Sequence, residues 1–185
     1  GAGGRDFHTF LTTMKDEVIS ELPTGLYGGA SFDMKDENLA FSIYRPVAPG
    51  DIYTLNLKSH KLTRWTNSAP EHLSEDKFVE PKLVHYPTFD KVDGKPRMIP
   101  AFVYAPKASG KKLPVIIDIH GGPEGQTRPW FSSTTHYWVN ELGCAVIQPN
   151  VRGSTGYGKT YLALDNGFNR EHSVQDIGAL LDWIA

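Results

Sequence analysis

The chain has 185 residues, room for one domain or for pieces of two, with 19 basic and 21 acidic side chains and a net charge of −2. The basic residues are scattered and form no stripe, which argues against nucleic acid as a partner. No apolar run approaches a membrane span and no secretory leader is legible, so no membrane partner is expected. Cys144 is the single cysteine, which excludes an internal disulfide. Beside Gly143 and an apolar stretch it reads as a buried structural thiol, and a reducing compartment, the cytoplasm, is the favoured localisation.

The first part reads as β throughout. Thr9–Met14 and Val18–Glu21 flank Lys15-Asp16-Glu17, a hairpin pattern. A glycine-rich joint follows at Gly25–Gly29. Leu39–Tyr44 is strand-like, Arg45–Gly50 with its two prolines reads as a turn, and Asp51–Leu57 alternates Ile52, Thr54 and Asn56 against Tyr53, Leu55 and Leu57. Ser59-His60 turns the chain into Lys61–Trp65. Short strands at near-regular spacing predict an antiparallel sheet, a sandwich or a propeller blade. Asn67–Glu80 is polar, without a strand pattern, and reads as a linker.

Beyond it the pattern changes. Lys82–Tyr86 and Met98–Tyr104 are predicted strands, antiparallel about a turn at Asp93-Gly94. Leu113–Ile119 is predicted as the central strand of a sheet, buried on both faces. Phe131–Leu142 has helical spacing, with Ser132 or Ser133 as N-cap and Gly143 as the stop. Cys144–Gln148 is a buried strand and Asn150–Gly158 a glycine-rich loop. Val174–Ala185 places Val174, Ile177, Leu181 and Ile184 on one helix face, with Leu180 and Trp183 beside it, Ser173 as N-cap and Asp176 near the positive end of the dipole. Strand, helix, strand, loop, helix is the order of a parallel α/β sheet.

The stretch that carries chemistry is LPVIIDIHGGP, Leu113–Pro123. A strand that ends in two glycines brings its backbone close to whatever lies beyond it, and its amides are free to face a ligand. In α/β-hydrolases one oxyanion-hole N–H comes from an HGG-type loop after such a strand. The alternative is a tight turn with no chemistry. Gly122 is the candidate oxyanion donor through its backbone N–H, a contribution of about 3 kcal/mol when such a donor is removed. His120 is expected to hold the loop by hydrogen bonds rather than act as a base. Trp130 is close enough in sequence to line a substrate pocket. Asp118 and His120 form a D-x-H pair, but two ligands without a third make a metal site improbable, and no metal or cofactor is expected. Arg152 is a candidate to anchor the glycine-rich loop through a carboxylate.

Taken together, PVIIDIHGGP (Pro114–Pro123), the aromatic helix after it, CAVIQPNVRGSTGYG (Cys144–Gly158) and the helix containing Asp176 resemble the prolyl oligopeptidase family of serine peptidases, which includes dipeptidyl and acylaminoacyl peptidases. IYTLNLKSHKLTRWT (Ile52–Thr66) and MIPAFVYAPK (Met98–Lys107) fit as well. The resemblance implies a β-propeller next to an α/β-hydrolase domain. On that reading 1–70 is the end of the propeller (one blade plus part of another), 71–81 a linker, and 82–185 the first half of the catalytic domain; the fold class is α/β. The implied activity is hydrolysis of peptide or acyl-peptide bonds through an acyl-enzyme, with a peptide as substrate. In some branches of the family a tyrosine that binds the oxyanion stands where this chain has His120, a departure that favours backbone donors here.

That chemistry needs a serine on a G-x-S-x-G elbow, then Asp, then His. Ser31 has Gly29 two residues before it but Asp33 two residues after it, and Ser154 is preceded by Arg152 at that spacing. No serine sits on an elbow. The triad is therefore expected beyond Ala185, and this segment alone is expected to be inactive. An esterase or lipase, or a non-catalytic assembly module docking on itself or on the remainder of a parent chain, are the rival readings.

Overall fold

The computed structural model of the chain describes residues 10–12, 16–18, 22–69, 77–107, 112–122 and 124–185, the first two segments as backbone only. Two compact units are present. One is built from Arg5–Phe78 with Trp130–Ser133, the other from Val79–Pro129 with Thr134–Ala185. Much of the polar stretch read as a linker, residues 70–76, lies outside the described residues.

In the first unit β1 (Phe10–Thr12) pairs antiparallel with β2 (Asp16–Val18). Asp16 and Glu17 thus belong to a strand rather than to the turn expected of them, and the turn itself lies outside the described residues. The main sheet is an antiparallel meander of β3 (Leu26–Phe32), β4 (Asn38–Arg45), β5 (Ala48–Asn56) and β6 (Leu62–Arg64). Alternate side chains of β4 and β5, namely Leu39, Phe41, Ile43, Tyr53 and Leu55, form its core, the period-2 pattern of a half-buried strand. Two expected turns are strand instead. Gly28 and Gly29 lie within β3, where the register slips between Gly28 and Ser31 and Gly29 takes φ +63°; this is a bulge, which glycine accommodates without a Cβ penalty. Pro49 and Gly50 lie within β5, and the β4–β5 turn shrinks to Pro46-Val47. Gly50 is required there because a Cβ would fall 2.2 Å from the Tyr44 ring. The Asn56 side-chain carbonyl accepts from the amides of Lys58 and Ser59, closing the turn before β6.

In the second unit β7 (Lys82–Val92) and β8 (Lys95–Tyr104) form a hairpin, longer than expected at the turn end. Asp93 and Gly94 both take positive φ, as a two-residue turn of this twist demands. The sheet order is β7-β8-β10-β9, where β9 is Val115–Ile117 and β10 is Ala145–Pro149. β9 and β10 are parallel, and β8 pairs antiparallel with β10. β9 corrects the expectation of a buried central strand: among the described residues it is the terminal strand, with Val115 and Ile119 exposed. β10, flanked on both sides, is the strand buried throughout.

One face of this sheet packs on α1 (Ser133–Asn140) through Phe102, Tyr104, Val146 and Val139. The other packs on α3 (His172–Ile184) through Tyr86, Ile99, Ala101, Ile147 and Leu180. Alternation along β8 and β10 therefore serves two layers of helix. α1 is shorter than expected, Phe131 lying outside it against Phe78 in the first unit. Gly143, with φ +67°, ends the turn that follows. α3 buries a face rotated from the apolar stripe read in its sequence, sharing Ile184 with it. Asp176 and Leu180 are buried, whereas Val174 and Leu181 are 68% and 56% exposed. No acidic residue stands in its first turn, and Ser173 is not its N-cap: its hydroxyl donates to the Arg170 carbonyl. Asp176 faces inward because an arginine waits for it there.

Candidate active site

The carboxyl ends of the parallel strands β9 and β10 open into two loops, 118–129 and 150–158, with α2 (Lys159–Leu162) after the second. In open α/β sheets this edge is where ligands bind. A cleft of about 620 Å3 lies here. His120 and Gly122 line it from the first loop, Arg152 from the second, and Ser173, Val174 and Ile177 from α3.

Arg152 organises the second loop. It is 2% exposed and its guanidinium is spread over two carboxylates. Nε and Nη2 donate to Asp176 at 2.9 and 2.7 Å, and Nη2 also donates to Asp90 at 2.8 Å. The Arg152 amide and the Thr88 hydroxyl complete the shell of Asp176. The Phe89 ring lies 4.4 Å below the guanidinium carbon. Thr88, Phe89 and Asp90 fall where the β7–β8 register shifts, between Pro87 and Lys91; a bulge re-aims side chains, and this one presents Phe89 and Asp90 to Arg152 and Thr88 to Asp176. Burial works against the charge of Arg152, yet both carboxylates raise its pKa above the ordinary arginine value. Burial likewise opposes ionisation of Asp90, but hydrogen bonds from Arg152 and Arg97 hold its carboxyl below the usual range. The carboxylate anchor read for Arg152 thus exists, doubled.

The two loops are stitched together. Asn150 donates to the Thr127 carbonyl and accepts from the Thr127 amide, and the Thr155 amide donates to the Gly125 carbonyl. His120 adds a third tie: its Nε2 lies 3.0 Å from Ser154 Oγ, and its Nδ1 3.0 Å from the Gly121 carbonyl oxygen. Gly121 and Gly122 are exposed, and among the described residues neither amide is hydrogen-bonded. A Cβ on Gly122 would meet the amide nitrogens of Gly125 and Glu124 at 2.8 and 2.9 Å, so the turn admits only glycine there without a shift. Gly122 and His120 are thus brought together at the cleft. Trp130 belongs to the other unit, where it lies edge-on to Tyr44 with ring centres 5.1 Å apart. Asp118 accepts from Gln148 at 2.8 Å. Among the described residues no cluster of three metal-ligating side chains is present.

Sequence reasoning missed Ser154 and Asp176 as parts of this site. Ser154 lies 34 residues from the histidine it meets, and Asp176 lies 24 from its arginine. Neither spacing follows a helix or strand period.

Residues 129–185 match the sequence model of the prolyl oligopeptidase family. A dipeptidyl-peptidase 5 of Porphyromonas endodontalis is 25% identical over 160 residues, 83% of this chain and 22% of that protein. Dipeptidyl peptidase family member 6 of Caenorhabditis elegans is 40% identical over 53 residues, 29% of this chain and 7% of that one. Over residues 129–185 the chain is similar to the prolyl oligopeptidase family. Its fold agrees: a solved prolyl endopeptidase structure superposes with a TM-score of 0.75 at 17% identity, over 92% of this chain and 24% of that one. The four-stranded meander is accordingly propeller sheet and the second unit α/β-hydrolase sheet. The chain spans about a quarter or less of the length of the proteins it matches.

Proposed function

We propose that this chain supplies the oxyanion-stabilising side of a serine peptidase that hydrolyses peptide or acyl-peptide bonds through an acyl-enzyme. The observation that carries the reading is the turn at Gly121–Gly122. It projects from the carboxyl end of a parallel strand, faces a cleft, and leaves its amides without partners among the described residues. When a serine attacks a carbonyl, negative charge develops on the carbonyl oxygen. An amide already aimed at that position stabilises the charge with no reorganisation at the moment of reaction. Gly122 N–H is the donor, and His120 holds the turn. The sequence contains no G-x-S-x-G elbow, so nucleophile, acid and base are supplied from outside residues 1–185.

The test compares peptide p-nitroanilides with acyl esters on the full-length protein. The expected result is a kcat/KM for peptide substrates at least tenfold above that for esters. A preference for esters of the same size would overturn the peptidase reading.

A further inference from the structure

We propose that Ser154 is a positioning residue for the Gly121–Gly122 turn, and that it takes its own place from the Arg152–Asp176 pair. The proposal rests on reading that turn as the oxyanion site. Gly121 O and Gly122 N–H are two ends of one peptide unit, which is planar and trans. Fixing the carbonyl therefore fixes the direction of the N–H on the opposite side. The group that fixes the carbonyl is His120 Nδ1, at 3.0 Å. A carbonyl oxygen only accepts, so Nδ1 carries the proton in this contact.

The ring can hold that pose only if its other nitrogen is also held. Nε2 meets Ser154 Oγ at 3.0 Å, and that hydroxyl donates to the Val151 carbonyl at 2.6 Å. A hydroxyl suits both states of the ring: it donates to a neutral Nε2, or accepts from a protonated one while its proton stays on Val151. Ser154 is fully buried, and its place is set by the loop it sits on. Val151 immediately precedes Arg152, whose amide and side chain are both bound to Asp176. Orientation thus passes from α3 to Arg152, to Ser154, to His120, and to the Gly121–Gly122 peptide, whose Gly122 lines the cleft. The Asn150–Thr127 and Thr155–Gly125 bonds do not pass through Ser154, so removing its hydroxyl leaves the two loops joined.

The experiment uses the full-length protein labelled with 15N-glycine, as wild type, Ser154→Ala and His120→Phe. In both variants we expect the Gly122 amide resonance to shift and lose order, while Gly143 and Gly178 stay put. We also expect kcat on a peptide p-nitroanilide to fall about tenfold or more, with KM within twofold, because a displacement near 1 Å is enough to cost about a hundredfold. The double variant should be no worse than either single one. If the Gly122 resonance is unmoved in both variants, the positioning role is wrong, whatever kcat does. If it moves while kcat is unchanged, Ser154 does position the turn and the oxyanion reading is what falls.

Discussion

Asp176 is buried outright, yet it accepts hydrogen bonds from the Arg152 amide, Nε and Nη2 and from Thr88. Removing one member of such a pair strands the other charge in a low-dielectric interior. Asp176→Ala should therefore cost about 3–5 kcal/mol in urea unfolding, and a loss below 1 kcal/mol would mean the pair is not held as described. The neighbouring Asp90 gives a pH dependence. Its folded pKa lies below the ordinary value because Arg152 and Arg97 outweigh burial. Its contribution is thus fully present above the unfolded pKa, about 3.9, and is lost as pH falls through the lower folded value. The urea midpoint should hold its carboxylate contribution at pH 5–7 and decline below about pH 4, and Asp90→Asn should reduce the decline; an unchanged decline in that variant would remove Asp90 as a source. That an arginine in a glycine-rich loop needs a carboxylate was legible from residue chemistry. Which carboxylate was not, because Asp176 looked equally well placed for a helix dipole.

At the scale of elements, α3 shows where periodicity misleads. Val174, Ile177, Leu181 and Ile184 share an apolar stripe, but the sheet contacts a face rotated from it, centred on Asp176 and Leu180 and reaching only Ile184 of the stripe. A polar residue on the buried face hid that face from a hydrophobicity reading. The two leucines discriminate cleanly. Leu180→Ala should cost about 2–5 kcal/mol, whereas Leu181→Ser should stay within about 0.5 kcal/mol in the 185-residue chain. The reverse order would restore the stripe as the packed face. The strand pattern was more readable: Asp93-Gly94 marked its hairpin, and alternation in β4 and β5 marked the core of the meander. Glycines were the weak point. Gly28, Gly29 and Gly50 read as turn residues, yet each sits in a strand, one at a bulge and one under an aromatic ring.

At the scale of the molecule, the strand-helix-strand order and the HGGP loop were enough to place the second unit in its fold class, because parallel pairing with a helical crossover leaves few arrangements. The exposed end position of β9 was not readable, since Val115–Ile119 has the composition of a fully buried strand. The site was half legible: His120 and Gly122 stand in one contiguous motif, but the side chains that orient them come from β10's loop and α3. The claim on which everything functional depends is a division of labour, with the oxyanion donor inside these residues and the nucleophile outside them. Intact-mass measurement after treatment with a fluorophosphonate tests it directly. The full-length protein should gain one covalent adduct and residues 1–185 alone should gain none; a stoichiometric adduct on any serine of the 185-residue chain would contradict the account.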